Sequence, residues 1–208
     1  MEMIKTEDNG LMTNDLLFAK VKPTAIIPTK EDENAGYDIY ACFDDDFKII
    51  PAHSTMMIPT GIACAVCDKY YLNVAERSST GKIGMKYSAG IIDSGYRGEI
   101  NILLTNANSV DIIISKLSLD ELVDKYGEIK GTEKTRYAIM RDKYYNTTYL
   151  IDSSSTFNQQ AIIYPYTKAI AQLIVHEVPR MNVKEVTYEE LLKIPSKRGV
   201  GAFGSSGK

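Results

Sequence analysis

Between residues 16 and 75 the chain is a succession of short β-type runs, each closed by a turn signal within about ten residues. The runs fall at 16–22, 37–41, 47–50, 55–58, 62–66 and 70–75, and Pro51, Pro59, Gly61, Gly81 and Gly84 punctuate the stretch from 51 to 84. No sustained helical period precedes residue 115. This spacing predicts an all-β sandwich or barrel. The 208 residues suit one domain of ordinary size with a sizeable core and room for an insertion.

Composition narrows the partners. Hydrophobic residues make up 44% and charged residues 25%, the balance of a soluble globular protein. The net charge of −3 argues against a broad nucleic-acid surface and leaves room only for a local basic pocket. The N-terminus has no apolar signal core, and no apolar run reaches the roughly 18 residues of a membrane span. Three cysteines are too few and too odd for a disulfide framework, so a reducing, cytoplasmic setting is expected. Cys64 and Cys67 have the spacing of half a metal site. They fall in a strand-like run with too few further ligands near by, so buried apolar thiols are the better expectation. Asp44, Asp45 and Asp46 read as a solvated turn rather than a cation site.

The expected organisation is an N-terminal extension (1–15), a β domain (16–197) and a glycine-rich arm (198–208). Within the β domain, residues 109–160 read as a mixed α/β insertion. Ser118 and Glu121 form a capping box for a helix over Leu119–Tyr126 ended by Gly127, and a Tyr-rich β-like stretch follows over 136–151. Half of the chain's 14 tyrosines lie between residues 109 and 168. β character returns at 161–164 and 169–178, and Thr187 with Glu190 caps a helix over 188–193.

Three segments carry chemistry. Ala89-Gly-Ile-Ile-Asp-Ser-Gly-Tyr-Arg-Gly-Glu99 reads as a β-hairpin with Asp93 and Tyr96 at its tip. Asp93 is a candidate general base, and Tyr96 offers a flat face to a ring. Glu76-Arg-Ser-Ser-Thr-Gly-Lys-Ile-Gly84 gathers cations, hydroxyls and glycines into an anion-binding segment. Arg77 can grip an oxyanion through two parallel N–H donors, and Ser78 and Ser79 add hydroxyls. The spacing is not that of a P-loop. The arm contains four glycines and one aromatic, Phe203, which can stack on a base. Together these features point to a nucleotide and to hydrolysis at phosphorus.

Five segments, in order, resemble the five motifs of the trimeric dUTP diphosphatase (dUTPase) family. They are Ala35-Gly-Tyr-Asp-Ile39, Arg77-Ser-Ser-Thr80, Ala89 to Glu99, Ala171-Gln-Leu-Ile-Val175, and Arg198 to Gly207. The resemblance implies a jelly-roll-like β fold and a homotrimer whose sites draw on several subunits. It implies hydrolysis of dUTP to dUMP and pyrophosphate, with Asp93 activating water and Tyr96 excluding a 2′-hydroxyl. Backbone groups around Ile92 would read uracil. Arg77, Ser78, Ser79 and Gln172 would hold phosphates. Arg198, Phe203, Ser205, Ser206 and Gly207 would close over the substrate, with Phe203 on uracil. Mg2+ would bridge phosphate oxygens, with Asp38 in its outer shell through water.

Some positions depart from the family pattern. Ser79 and Ala202 stand where glycine is usual, Gly95 where many members are acidic, and Tyr87 where some have Asn. The rival within the fold is dCTP deaminase, which uses a Glu ten residues after the position of Asp93 and typically a Trp at that of Tyr96. Here the first of these is Leu103, which carries no proton. A second role is a protein partner bound at the 109–160 insertion through its Tyr-rich segment 136–151, since tyrosine is enriched at interfaces.

Overall fold

The computed structural model describes residue 11 and residues 14–126, 137–141, 148–152 and 158–201. The strands begin β1 (Leu16–Lys20), β2 (Gly36–Ile39), β3 (Phe47–Ile50), β4 (Thr55–Pro59), β5 (Ile62–Val66) and β6 (Tyr70–Ala75). After helix α1 (Ser78–Lys82) come β7 (Met85–Ser88), β8 (Ile91–Ile92), β9 (Asn101–Asn106) and β10 (Asp111–Ser115). Helix α2 (Leu119–Tyr126) precedes β11 (Tyr137–Arg141), β12 (Thr148–Asp152), β13 (Asn158–Pro165) and β14 (Ala171–Glu177), and α3 (Tyr188–Leu192) follows. The fold is all-β, as the spacing of short runs predicts, and jelly-roll-like, as the family resemblance implies. Strands β3, β5 and β6 have the expected bounds. No helix among the described residues is long and apolar enough to cross a membrane.

Period-two burial assembles the core. β5 turns Ile62, Cys64 and Val66 inward, and β9 does the same with Ile102, Leu104 and Asn106. The sheets run β2-β14-β6-β8, β4-β9-β7, β1-β5 and β11-β12-β13-β10-β3. Their inner faces meet in one cluster that includes Ile39, Ile58, Leu72, Met85, Ile112 and Leu173. Cys42, Cys64 and Cys67 are buried free thiols, and burial raises the pKa of Cys64.

Local capping chemistry reads through directly. Ser118 N–H donates to Glu121 Oε2 at 2.7 Å, and Glu121 N–H to Ser118 Oγ at 3.2 Å. These bonds hold the Glu121 carboxyl below its ordinary pKa. α2 leads into an antiparallel β11-β12-β13 unit, and β13 runs parallel to β10. Asp44, Asp45 and Asp46 each meet a lysine, from three different parts of the chain: Lys22 at 2.9 Å, Lys48 at 3.0 Å, and Lys125 of α2. Exposed pairs of this kind add little stability and mainly set the path of the turn.

Two expectations need correction. The segment around Ile91 and Ile92 is not one arm of a hairpin with the strand after it. β9 pairs with β7 and β4, whereas β8 pairs with β6, Leu72 opposite Ile92. Ala89 takes φ +51°, and Val74 N–H donates to Gly90 O at 2.7 Å, which ties the chain to β6. The loop after Ile92 therefore crosses from one sheet to another. The glycines of the 76–84 segment do not form an anion concavity either. Gly81 lies within α1, and Gly84, at φ +75°, closes a turn under the Asn108 side chain.

The chain divides into two compact units, Met1–Val178 and Pro179–Lys208. The second contains α3, capped by Thr187 and Glu190 as the sequence predicts. After it, Ser196 Oγ accepts from Arg198 N–H at 3.2 Å and Gly199 N–H at 3.1 Å, and Arg198 Nε donates to Gly201 O at 2.9 Å. Gly127, Ala202, Phe203, Ser205, Ser206 and Gly207 lie outside the described residues.

Candidate active site

Two clefts on the first unit collect the candidate residues. One, of about 350 Å3, is lined by Met57, Val74, Ala89, Ile91, Ile92, Asp93, Tyr96, Glu99, Ile100, Asn101 and Leu103. β8 forms one wall and the edge of its sheet, so one side of its backbone has no partner strand among the described residues. A turn follows, in which Tyr96 N–H donates to Asp93 O at 3.0 Å. Arg97 Nη1 braces that turn through Ser94 O at 2.5 Å and Tyr96 O at 2.9 Å. Asp93 is exposed, and its carboxylate has no hydrogen-bond partner among the described residues.

Tyr96 is 46% exposed, yet its ring is well placed. Its hydroxyl donates to Glu99 O at 3.0 Å, and the ring folds over Gly98. A Cβ at Gly98 would lie 2.6 Å from Tyr96 Cζ and closer still to the hydroxyl oxygen. Glycine at 98 is thus the condition for this ring position. Leu103, the position at which deamination would need a carboxylate, presents an apolar wall opposite Met57 of β4.

The second cleft, of about 360 Å3, is lined by Asn34, Ala35, Gly36, Asp38, Arg77, Ser78, Ser79 and Gln172. Its floor comes from strand register: Asp38 of β2, Gln172 of β14 and Ala75 of β6 lie side by side. Gln172 Nε2 donates to Glu76 O at 2.7 Å. Arg77 leaves the end of β6 just before α1, where Thr80 Oγ1 accepts from Arg77 N–H at 3.0 Å. α1, about one turn long, connects β6 to β7.

The expectation for Arg77 needs revision. Its two parallel donors are already spent, Nε on Asp38 Oδ1 at 2.8 Å and Nη2 on Asp38 Oδ2 at 2.9 Å. Nη1 reaches Ser79 Oγ and Ala169 O, both at 3.4 Å. Arg77 therefore faces the cleft as a charge held by a carboxylate. Ser79 has a contact that a glycine would lack. Tyr87 donates its hydroxyl to Ile170 O, and burial raises its pKa. It lines neither cleft.

Arg77, Ser78, Ser79, Gln172 and Asp38 thus share one cleft, and Asp93, Tyr96 and Ile92 the other, with no lining residue in common. Sequence reasoning assigned no role to Glu99, the second carboxylate beside Asp93. Its Oε1 accepts Gly61 N–H at 2.7 Å, so it braces the loop. Its position at the end of the third motif was the available signal.

Comparison with known proteins gives concordant results. Residues 22–118 match the family model described as dUTPase. The chain is 29% identical over 188 residues to the deoxyuridine 5′-triphosphate nucleotidohydrolase of Candida albicans, covering 89% of this chain and 84% of that one. It is 30% identical over 186 residues to the enzyme of that name from Debaryomyces hansenii, covering 88% and 82%. In fold it is similar to a Staphylococcus bacteriophage 80alpha dUTPase variant solved with dUpNHpp. That match has a TM-score of 0.63 at 20% identity, over 93% of this chain and 99% of that one.

Proposed function

The chain belongs to the dUTPase family, and on that premise we propose how its residues divide the work. It hydrolyses dUTP to dUMP and pyrophosphate. The observation that carries the assignment of roles is that Asp93 and Tyr96 share one largely apolar cleft, with Leu103 where a deaminase would place its proton shuttle. The unpartnered side of β8 at Ile92 offers backbone groups to the uracil edge. Tyr96 packs under the deoxyribose and leaves no space for a 2′-hydroxyl. Asp93 takes a proton from the water that attacks phosphorus, and the bond to the departing pyrophosphate breaks.

Ser78, Ser79, Gln172 and the cationic face of Arg77 hold the triphosphate. Mg2+ would be held at this cleft beside Asp38, by way of water. Among the described residues no three His, Cys, Asp or Glu groups could hold an ion by themselves. Asp38 is the carboxylate at this cleft, and each of its oxygens keeps a lone pair beyond its bond to Arg77 for a water of an outer shell. When bound, the ion offsets charge on the triphosphate. Arg198, Phe203, Ser205, Ser206 and Gly207 act as the lid.

The separation of the clefts supports a homotrimer in which one subunit gives Asp93 and Tyr96 and another gives Arg77 and Gln172. None of the residues named above lies within 109–160. A protein partner bound there would add to the chemistry and not replace it. The test of the reaction is a panel of dUTP, dCTP, dTTP and UTP with pyrophosphate and ammonia measured separately. Pyrophosphate from dUTP alone is expected, and ammonia from dCTP overturns the reading.

The sugar gate makes its own prediction. Gly98→Ala pushes Tyr96 from its position, so kcat/KM for UTP relative to dUTP rises about tenfold or more, a change of roughly 1.4 kcal/mol in discrimination. Competition kinetics with the two substrates reads this ratio. An unchanged ratio removes Tyr96 as the gate.

A further inference from the structure

The segment that enters β14 presents two successive carbonyls, Ala169 O and Ile170 O, to tyrosine hydroxyls. Tyr164 donates to Ala169 O at 2.6 Å, and its residue is only 5% exposed. The same carbonyl takes Nη1 of Arg77 at 3.4 Å, so hydroxyl and guanidinium converge on one acceptor. Tyr164 stands on β13, outside the segments that resemble family motifs. Burial raises the pKa of its hydroxyl, while the Arg77 charge beside it works in the opposite direction, and the group remains a neutral donor near pH 7.

Arg77 is anchored on two sides. Asp38 holds one edge of the guanidinium through paired bonds, and Ala169 O meets the other. The second anchor is only as firm as the carbonyl itself. That carbonyl lies in the short link between β13 and β14, and Lys168 N–H turning back to Pro165 O shapes the link. Ile170 N–H of the same peptide donates to Ile39 O at 2.9 Å, so loss of the Tyr164 bond would let the Ala169 carbonyl tilt rather than turn away, and would loosen its hold on Arg77 Nη1.

We propose that Tyr164 is a positioning residue that holds Arg77, through the Ala169 carbonyl, at the angle needed to meet the triphosphate. The inference rests on the reading of Arg77 as a phosphate contact. A purely structural role, satisfying one buried carbonyl, would weaken every function of the fold alike.

The experiment compares Tyr164→Phe, Arg77→Ala and the double variant. It measures dUTP kinetics, competitive inhibition by deoxyuridine, which carries no phosphate, and thermal melting of each protein. Tyr164→Phe keeps the ring, and its KM for dUTP is expected to rise about tenfold, the scale of a lost hydrogen bond serving a charged group. The deoxyuridine inhibition constant should stay within about twofold, because the nucleoside cleft is untouched. Added to Arg77→Ala, the substitution should cost nothing further. Wild-type kinetics, a parallel loss of deoxyuridine affinity, or an equal added loss in the Arg77→Ala background overturns the inference. If Arg77→Ala itself has wild-type dUTP kinetics, the reading of Arg77 falls and the inference falls with it. A defective Arg77→Ala beside an intact Tyr164→Phe removes the inference alone.

Discussion

Asp93→Asn is expected to lower kcat for dUTP by about 10^3-fold or more while nucleotide affinity stays near that of the wild type. The amide has the shape of the carboxylate but cannot take the proton of the attacking water. The surroundings offer little rescue. Met57, Ile91 and Leu103 are apolar, and the other carboxylate of the cleft, Glu99, has an oxygen held by Gly61 N–H at 2.7 Å. The loop should keep its shape, since Asp93 contributes a backbone carbonyl to the turn and its side chain holds nothing in place. Pyrophosphate release gives the rate, and binding of a non-hydrolysable dUTP analogue gives the affinity. Normal turnover in this variant sinks the assignment of Asp93 as base.

Removal of residues 198–208 has the second largest expected effect. kcat/KM for dUTP should fall about 10^2-fold or more, because a lid supplies ordering of the substrate and exclusion of water. Arg198 and Phe203 are the residues whose loss matters most in this reading. The fold should survive. The principal hydrophobic cluster lies wholly within Met1–Val178, which forms a compact unit of its own. Melting of the truncated protein within a few degrees of wild type is therefore expected beside the lost activity. Full activity without these residues contradicts a lid in this segment.

Much of the fold is legible in the sequence because much of it is decided locally. Alternation in Ile62–Val66 and Tyr70–Ala75 sets strands with the expected bounds, and Ser118 with Glu121 and Thr187 with Glu190 cap their helices as written. The grouping of Arg77, Ser78, Ser79 and Gln172, and of Asp93 with Tyr96, also follows the sequence reading. What the sequence hides is long-range choice. Ile91 and Ile92 could pair with the strand ahead or with β6, and they pair with β6, just after the left-handed residue Ala89. The partner of Arg77 is Asp38, 39 positions earlier, and local pattern has no access to that pairing. Tyr164 reads as one tyrosine among 14 until the link into β14 brings Ala169 to its hydroxyl.

The central claim is that Asp93 and Arg77, which line separate clefts on one chain, serve one dUTP molecule across a subunit boundary. Denaturing Asp93→Asn and Arg77→Ala proteins together in equal amounts and refolding the mixture tests it directly. Each parent alone should be nearly inactive. In the mixture a site is complete when its Asp93 comes from one variant and its Arg77 from the other, so about a quarter of wild-type activity should return. Activity no higher than that of the two parents contradicts a site shared between subunits.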